Sequence, residues 1–410
     1  MREQRRRSWE GYSRATLPSE SEEIWRYSRI GDLDLSRYSP RVASHEGSLD
    51  QLPGPLNALV EAAGPGASVL VTVNGGAGRL EHPQPGLDVV PGVEEPLGHG
   101  EPLLALAGPA ADPFGMLNGA FVDVPWRVTV APGVALAAPV VVVHWLEGDG
   151  LAAFPCLQVD LGPAASAQVV EVVACSSEPL LSVPVAHLQV GPGASLGFGH
   201  VQLLGQRAWQ LGNQVSRLGR DATLRSMTVA FGGEYARART DSVLEGAGGD
   251  SELLAAYFGS GDQMHDLRTV QHHAAPKTRS NLLFKGGVAG TAHSVYSGLI
   301  RVEKGARGTN AFQTNRNLVL SEGARAFSVP NLEIEDNDVR CSHASAVGPI
   351  DEAQRFYLES RGVPAPSAER LIALGFMDDV LERFPLPAMV PWLRRALAAK
   401  LDTAGFTAGA

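Results

Sequence analysis

A four-residue turn that recurs through the middle of the chain constrains the fold more than any other feature of the sequence. Gly-Pro-Gly-Ala, or a degenerate version of it, precedes a short apolar run, and the clearest copy lies at residues 191–194. The spacing between equivalent positions settles at about 28 residues, within the range typical of solenoids and repeat arrays. The positions compared are Val134, Ala165, Ala194, Ala222, Asp250, Thr278 and Ala306.

Each repeat holds two or three strand-length runs and leaves no room for a long helix. In one repeat these runs are 188–190 and 196–204. A single coil of this kind cannot bury its inward residues alone, whereas stacked coils share ladder hydrogen bonds and a continuous interior. The sequence therefore predicts a mainly β fold with a β-helix at its centre. An ordinary β-sandwich with regular hairpins is the alternative, because degenerate repeats are easily over-counted.

Changes of pattern along the chain predict three regions. Residues 1–84 form an N-terminal helical or irregular region, residues 85–348 form the β-helix core, and residues 349–410 have helical periodicity. The helices expected in the last region are 351–361, a second one capped by Ser367 and stopped by Pro385, and 392–401.

The composition is that of a globular protein with an acidic balance. Apolar residues make up 44% and charged residues 19%, and the net charge of −10 disfavours nucleic acid or anionic lipid as a partner. Three cysteines are too few for a disulfide framework and favour a reducing compartment. The basic N-terminus lacks the apolar stretch of a signal peptide, and the longest apolar run, 134–145, is too short to span a bilayer. We therefore expect a cytoplasmic protein.

Several motifs of known chemistry are missing from the sequence. There is no Gly-x-x-x-x-Gly-Lys-Ser/Thr loop for a nucleoside triphosphate, no His-Glu-x-x-His and no Cys-x-x-Cys. The one Gly-x-Ser-x-Gly match, residues 193–197, overlaps the recurring turn and does not announce the nucleophile elbow of a serine hydrolase. These absences favour a chain without an obvious catalytic centre of its own.

A late group of histidines with one cysteine supplies the best candidates for metal ligands. The group consists of His265, His272, His273, His293, Cys341 and His343. Successive strand residues face opposite sides, so His272 and His273 are poorly placed to share a metal, whereas Cys341 and His343 project from one face of an extended segment. A thiolate and an imidazole suit iron, zinc, copper or an iron–sulfur cluster, although further ligands must come from elsewhere. The alternative is a packed cysteine near a hydrogen-bonded histidine.

An acidic segment, Glu333 to Asp338, precedes this pair and contains four carboxylates. Charges of this kind block edge-to-edge aggregation at a strand edge, which is one interpretation. The other is an electronegative point of access for ferrous iron.

Motifs spread over most of the chain are shared with a known family. They include Val339-Arg340-Cys341-Ser342-His343-Ala344, the run from Asp351 to Gly362, and Leu374-Gly375-Phe376. Further matches lie at 330–334, 317–320 and 23–27. The chain resembles the SufB/SufD family of the SUF iron–sulfur cluster assembly machinery. Its Cys-Ser-His-Ala stretch followed by Phe-Tyr-Leu-x-Ser-Arg-Gly is most similar to the SufD members.

The resemblance implies a right-handed parallel β-helix between helical ends and a non-catalytic scaffold role in a SufBCD complex. Such a complex contains one SufB, one SufD and two copies of the ATPase SufC, which docks on the C-terminal helical domains. The resemblance also implies a SufB–SufD junction at the ends of the two β-helices, where a transient iron or iron–sulfur cluster is shared. No cofactor is expected to be held tightly by the isolated subunit.

Individual residues take expected roles from the same resemblance. His343 matches a histidine proposed to act at the junction, and Cys341 lies two residues before it. Phe356, Tyr357 and Arg361 fall in the region expected to face SufC, unless the aromatic side chains form the core of the helical domain. Two other functions stay open: a homodimeric SufD-like binding protein that acts without SufB, and a β-helical carbohydrate-active enzyme.

Overall fold

The computed structural model describes residues 2–41, 46–92 and 113–407. The helices are α1 Arg2–Arg14, α2 Gly54–Glu61, α3 Pro113–Phe121, α4 Glu352–Ser360, α5 Ala365–Leu381 and α6 Val390–Thr403. The strands are β1 Ser39–Pro40, β2 Ser68–Val73, β3 Gly78–Glu81, β4 Leu87–Pro91, β5 Trp126–Val130, β6 Val140–Leu146, β7 Leu151–Ala153, β8 Cys156–Leu161, β9 Ser166–Cys175, β10 Leu180–Ser182, β11 Val185–Val190, β12 Ser195–Leu203, β13 Ala208–Leu218, β14 Thr223–Ala230, β15 Tyr235–Leu244, β16 Asp250–Gly259, β17 Met264–His273, β18 Arg279–Val288, β19 His293–Val302, β20 Thr309–Val319, β21 Arg325–Ile334 and β22 Val339–Gly348.

The strands stack into two facing sheets that are mostly parallel. The first follows the order β21-β19-β17-β15-β13-β11-β8-β5 and ends on the antiparallel β4. The second follows β22-β20-β18-β16-β14-β12-β9-β6-β2 and ends on the antiparallel β3. Each coil adds one strand to each sheet, which gives a β-solenoid of about eight turns. The predicted parallel β-helix with helices near both ends is confirmed.

The recurring turn of the sequence is the corner that leads from the first sheet into the second. In the clearest copy, the Ala194 N–H donates to the Gly191 carbonyl at 3.0 Å, and Gly193 has a φ of 66°. Proline at the second position and a positive φ at the third are the signature of a type II turn. The corners also stack, because the Gly193 N–H donates to the Arg220 carbonyl of the next coil at 2.8 Å.

The paired strands show where the predicted spacing holds. The in-register positions Ser195, Thr223, Asp250, Arg279 and Asn310 are separated by 28, 27, 29 and 31 residues in turn. The interpretation of Asp250 as the equivalent of Ala222 is therefore wrong by one residue, and that of Ala306 as the equivalent of Thr278 is wrong by three. The corner before β20 is longer than the earlier corners, and a fixed period cannot follow such a change.

Side chains inside and outside the solenoid form separate cores. Valine and leucine residues such as Val142 and Leu157 fill the interior of the early coils. The outer face of the second sheet is covered by α2, α5 and α6, with Leu393 and Phe384 buried there. The N-terminal segment around Trp25, together with α3, covers part of the outer face of the first sheet. Among the described residues, no helix is long and apolar enough to cross a lipid bilayer.

The C-terminal helices lie along the flank of the solenoid. The Lys285 Nζ of β18 is 2.5 Å from Asp379 Oδ2 and donates to the Phe376 carbonyl at 3.0 Å. The Lys400 Nζ of α6 donates to the Phe231 carbonyl and to Gln263 Oε1. Two lysines thus fix α5 and α6 to different coils.

The starts of two helices test the sequence signals for capping. Asp351 caps α4, since its carboxylate accepts from the N–H groups of Ala353 and Gln354. Helix α5 begins at Ala365 after Pro364, so the interpretation of Ser367 as its cap is wrong. Proline is well suited to the first turn of a helix, where its missing N–H costs nothing.

The boundaries of the three predicted regions stay predictions, but the first region is not only helical or irregular, because its strands β2 and β3 belong to the second sheet. Residues 1 and 42–45 of the first region, 93–112 of the second and 408–410 of the third lie outside the described residues.

Candidate functional site at the open end of the solenoid

The last coil leaves one end of the solenoid open. In the described part of the chain, β21 and β22 are the outermost strands of their sheets. Their inward-facing residues Leu332, Ile334 and Val347 are 40%, 41% and 45% exposed, whereas Ile300 and Val302 in the preceding coil are fully buried. An edge with free backbone groups and exposed apolar side chains is a template for pairing with another chain.

Cys341 and His343 lie on β22 in this last coil and face the same side, as their spacing predicts. Cys341 pairs with Ala311 and His343 with Gln313. The Cys341 side chain packs at the edge of the small apolar cluster around Ile300, and burial raises the pKa of its thiol. His343 is exposed. A metal would therefore have to displace the proton of Cys341, while the imidazole is accessible from the coil end.

These two side chains do not make a closed metal site by themselves. Residues two apart in a strand have Cα atoms about 7 Å apart. In the ranges that the structure describes, no group of three or more His, Cys, Asp or Glu side chains is placed to hold a metal ion. A metal or cluster bound at this end would need ligands from another chain.

The other late histidines have structural surroundings. His273 lies inside the solenoid, 2.7 Å from Thr278 Oγ1 and 2.8 Å from Ser280 Oγ, and burial lowers its pKa to about 4. Burial also lowers the pKa of His265 to about 3. His272 faces outward and lies 2.7 Å from a carboxylate oxygen. The structure does not bring these histidines to the open end.

Two of the four carboxylates of the acidic segment make local contacts. Glu333 lies 3.9 Å from Arg301. Asp336 accepts from the N–H groups of Asp338 at 3.0 Å and Gly305 at 3.1 Å, and these hydrogen bonds lower its pKa. Such contacts support the interpretation of this segment as a strand edge and turn. They do not support its interpretation as a point of access for ferrous iron.

Helix α4 presents a second exposed surface. Phe356 is 71% and Tyr357 58% exposed, and the Arg361 guanidinium lies 5.5 Å from the centre of the Tyr357 ring. The helix is tied to α5 through Arg355, whose Nη1 is 3.4 Å from Glu369. The interpretation of the aromatic side chains as a core is therefore wrong. The prediction that these side chains contact SufC is not tested by the structure and stays a prediction.

A buried group of ionisable side chains in the early coils was not predicted from the sequence. Glu171 is 1% exposed and lies 2.7 Å from His200 Nδ1 and 3.5 Å from His144 Nε2. Thr72 Oγ1 is 2.7 Å from His144 Nδ1. Burial alone would raise the pKa of Glu171, but the close approach of the His144 and His200 rings lowers it to about 2. Residues 144, 171 and 200 are separated by about the length of one coil, and this spacing could have indicated in the sequence that the three side chains lie together.

A comparison with protein families covers both the open end and α4. Residues 144–376, more than half of the chain, match the family model described as SUF system FeS cluster assembly, SufBD core domain. The chain belongs to the SufBD family. The resemblance inferred from the motifs is thereby confirmed, and β22 with its Cys341 and His343 lies inside the matched SufBD region.

Relatives of the chain include proteins named SufD. A SufBD family protein of Mycobacterium tuberculosis is 42% identical over 195 residues, which cover 46% of this chain and 49% of the relative. SufD of Bacillus subtilis is 29% identical over 69% of this chain and 64% of its own length. SufD of Escherichia coli is 33% identical over 40% of this chain and 39% of its own. This SufBD chain thus matches about half of the length of the first of these relatives.

Proposed function

We propose that this chain is a SufD-like, non-catalytic scaffold subunit for iron–sulfur cluster assembly. Membership of the SufBD family and the likeness to proteins named SufD support this function. The observation that carries the proposal is the open terminal coil, where His343 is exposed among apolar side chains.

The proposed partner at this end is SufB, joined through the ends of the two β-helices. A further strand on β21 and on β22 would satisfy their free backbone groups and bury Leu332, Ile334 and Val347. Each is already more than half buried, so its full burial contributes about 1 kcal/mol. The backbone hydrogen bonds would fix the register of the partner, because a shift by one residue turns every side chain to the other face.

The iron or nascent cluster is a shared cargo of this junction in the proposal. His343 supplies an imidazole and Cys341 a thiolate after metal-driven loss of its proton. SufB supplies the remaining ligands, since Cys341 and His343 are too few for a closed site. No cofactor is held tightly by the isolated chain.

The proposed second partner is the ATPase SufC, docked on α4 through Phe356, Tyr357 and Arg361. Exposed aromatic and arginine side chains of this kind are enriched among the dominant residues of interfaces. The chain itself needs no turnover in this arrangement, because SufC supplies the ATPase activity. Movement of α4 is passed to the coils through α5, which Lys285 fixes to β18.

The function is tested by anaerobic reconstitution of the full chain with SufB and SufC from the same source. Native mass spectrometry reads the stoichiometry, and iron and sulfide analysis reads the cluster content. We expect a complex with one SufB and two SufC, and His343→Ala should assemble normally but lose most of its cluster. The matched control is His272→Ala, which removes an outward-facing histidine away from the open end and should retain the cluster.

Two results would count against this function. Failure of the chain to associate with either partner would remove the scaffold role, and a full cluster content in His343→Ala would remove the assigned site. The same open end could also stack on a second copy of the chain, which is the homodimeric alternative. A dimer that persists after SufB is added would favour that alternative. Family membership gives no support to a carbohydrate-active β-helix.

A further inference from the structure

A buried glutamine beneath the terminal coil has no partner for its amide. Gln313 lies on β20 and is 1% exposed. Within the described part of the chain, neither its Nε2 nor its Oε1 makes a hydrogen bond. Buried amide groups are hydrogen-bonded in the large majority of proteins, so an amide left without a partner on both atoms requires a physical explanation.

The opposite strand leaves room for this amide. Gly298 faces Gln313 across the interior, and a Cβ atom at Gly298 would lie 2.7 Å from Gln313 Nε2 and would also overlap Tyr296 Oη. A side chain there would displace both polar groups. The arrangement therefore depends on the missing side chain of Gly298.

The polar groups around the amide are neutral and mostly engaged elsewhere. Tyr296 Oη lies 3.1 Å from Thr269 Oγ1. The amide nitrogen of Gln271 donates to Ser280 Oγ at 2.7 Å. On the side of the coil end, β20 pairs with β22 of the terminal coil.

His343 is the residue of β22 that neighbours Gln313 along the solenoid axis. It pairs in register with Gln313 on the adjacent parallel strand, at the strand separation of about 4.8 Å. In-register residues of parallel strands point to the same face, so the imidazole and the amide are neighbours along the solenoid axis. His343 belongs to the terminal coil and is exposed.

We propose that Gln313 is a positioning residue for His343, whose imidazole N–H donates to Gln313 Oε1. This leaves the lone pair of the other ring nitrogen directed out of the coil end, where a metal would bind. A histidine that ligates a metal usually has its second nitrogen held by such a partner, which fixes both tautomer and ring orientation. A neutral amide does this without adding charge. The inference rests on the proposed role of His343 and adds the group that orients it.

The test measures the tautomer of His343 directly in the full chain without metal. Ring nitrogen-15 NMR of histidine-labelled protein at pH 8 distinguishes the two neutral tautomers, and the His343→Gln spectrum assigns the signals. We expect one dominant tautomer in the wild type. In Gln313→Met the ratio should change about fivefold, which corresponds to about 1 kcal/mol. The control Gln271→Met removes another interior glutamine and should leave the His343 signals unchanged.

The outcomes separate this inference from the proposed function. An unchanged tautomer ratio in Gln313→Met, or an equal change in Gln271→Met, would overturn the inference, whatever happens to the cluster. If Gln313→Met did not fold, Gln313→Glu would be measured, because it keeps an acceptor oxygen and should hold the wild-type tautomer; loss of that tautomer would count against us. Full cluster content in His343→Ala would instead overturn the site assigned under the proposed function and leave the tautomer result standing.

Discussion

The early and late coils of the solenoid share a backbone plan but differ in what they enclose. Val142 and Leu157 in the early interior are fully buried among other apolar side chains. In the late coils, Asn315 Nδ2 donates to Tyr257 Oη at 3.0 Å, which donates to Asn317 Oδ1 at 2.7 Å. Apolar burial is non-directional, whereas hydrogen bonds fix geometry. The early coils therefore contribute stability, and the late coils hold the groups at the open end in fixed positions.

The largest difference in stability between the two regions is expected from a matched pair of leucine-to-alanine variants. Leu157→Ala removes a fully buried side chain from an early coil and should lower the free energy of unfolding by about 3 kcal/mol. Leu332→Ala alters the open coil, where the residue is 40% exposed, and should cost about 1 kcal/mol or less. Urea denaturation of both variants provides the measurement. If both variants lost the same free energy of unfolding, the early coils would not contribute more stability than the open terminal coil.

A second comparison uses pH, because His273 in the late coils and Glu171 in the early coils lose their contributions in different pH ranges. The folded pKa of His273, in the late coils, is lowered to about 4, so its contribution is complete above about pH 6.5 and is lost as the pH falls towards 4. The pKa of Glu171, in the early coils, is lowered to about 2, so its contribution is lost between about pH 4.5 and 2. Each group should contribute a slope of about 1.4 kcal/mol per pH unit inside its own window.

Two variants check these windows through the pH dependence of the free energy of unfolding. His273→Gln should reduce the slope of the profile between pH 6.5 and 4, to which His187 and His265 also contribute, and leave the lower window unchanged. Glu171→Gln should flatten the profile below pH 4.5 only. If one variant flattened both windows, the two groups would not be independent parts of the interior.

The smallest effect on stability is expected at α4. Phe356→Ala should change the free energy of unfolding by no more than about 0.5 kcal/mol, because the side chain is 71% exposed. The same change should weaken the binding of SufC about tenfold or more, as expected for an aromatic anchor of an interface. Calorimetric titration measures the affinity. Phe312→Ala is the control, since Phe312 is an exposed aromatic on the solenoid, and unchanged SufC binding in Phe356→Ala would remove α4 from the interface.

The repeat and the helical segments could be predicted from the sequence because they depend on local chemistry. A proline and a residue of positive φ mark the corner turn wherever it occurs, and Asp351 caps α4 with its own carboxylate. The motif around Cys341 and His343 likewise placed both side chains on one face of β22.

Other features depend on packing between distant segments. The exposure of Phe356 follows from which face of α4 contacts α5, and a single helix does not specify that face. The contact of Glu171 with His144 and His200 requires the register of three coils, and an irregular coil length hides it. Gln313 resembles any polar strand residue until the missing side chain of Gly298 and the absence of a partner among the described residues are known.

Because α5 and α6 are attached to the flank of the solenoid, the number of coils determines the distance between these helices and the open end. Lys400 holds α6 beside Phe231, after β14, and Lys285 holds α5 at β18, whereas the open end is β22. Each coil between the anchors and the end adds about 4.8 Å along the axis. The repeat therefore works as a ruler with a fixed increment, which sets how far the surface of α4 stands from whatever occupies the open end. Deleting one whole coil would leave the corner turns of the remaining coils unchanged and shorten that distance by a single step.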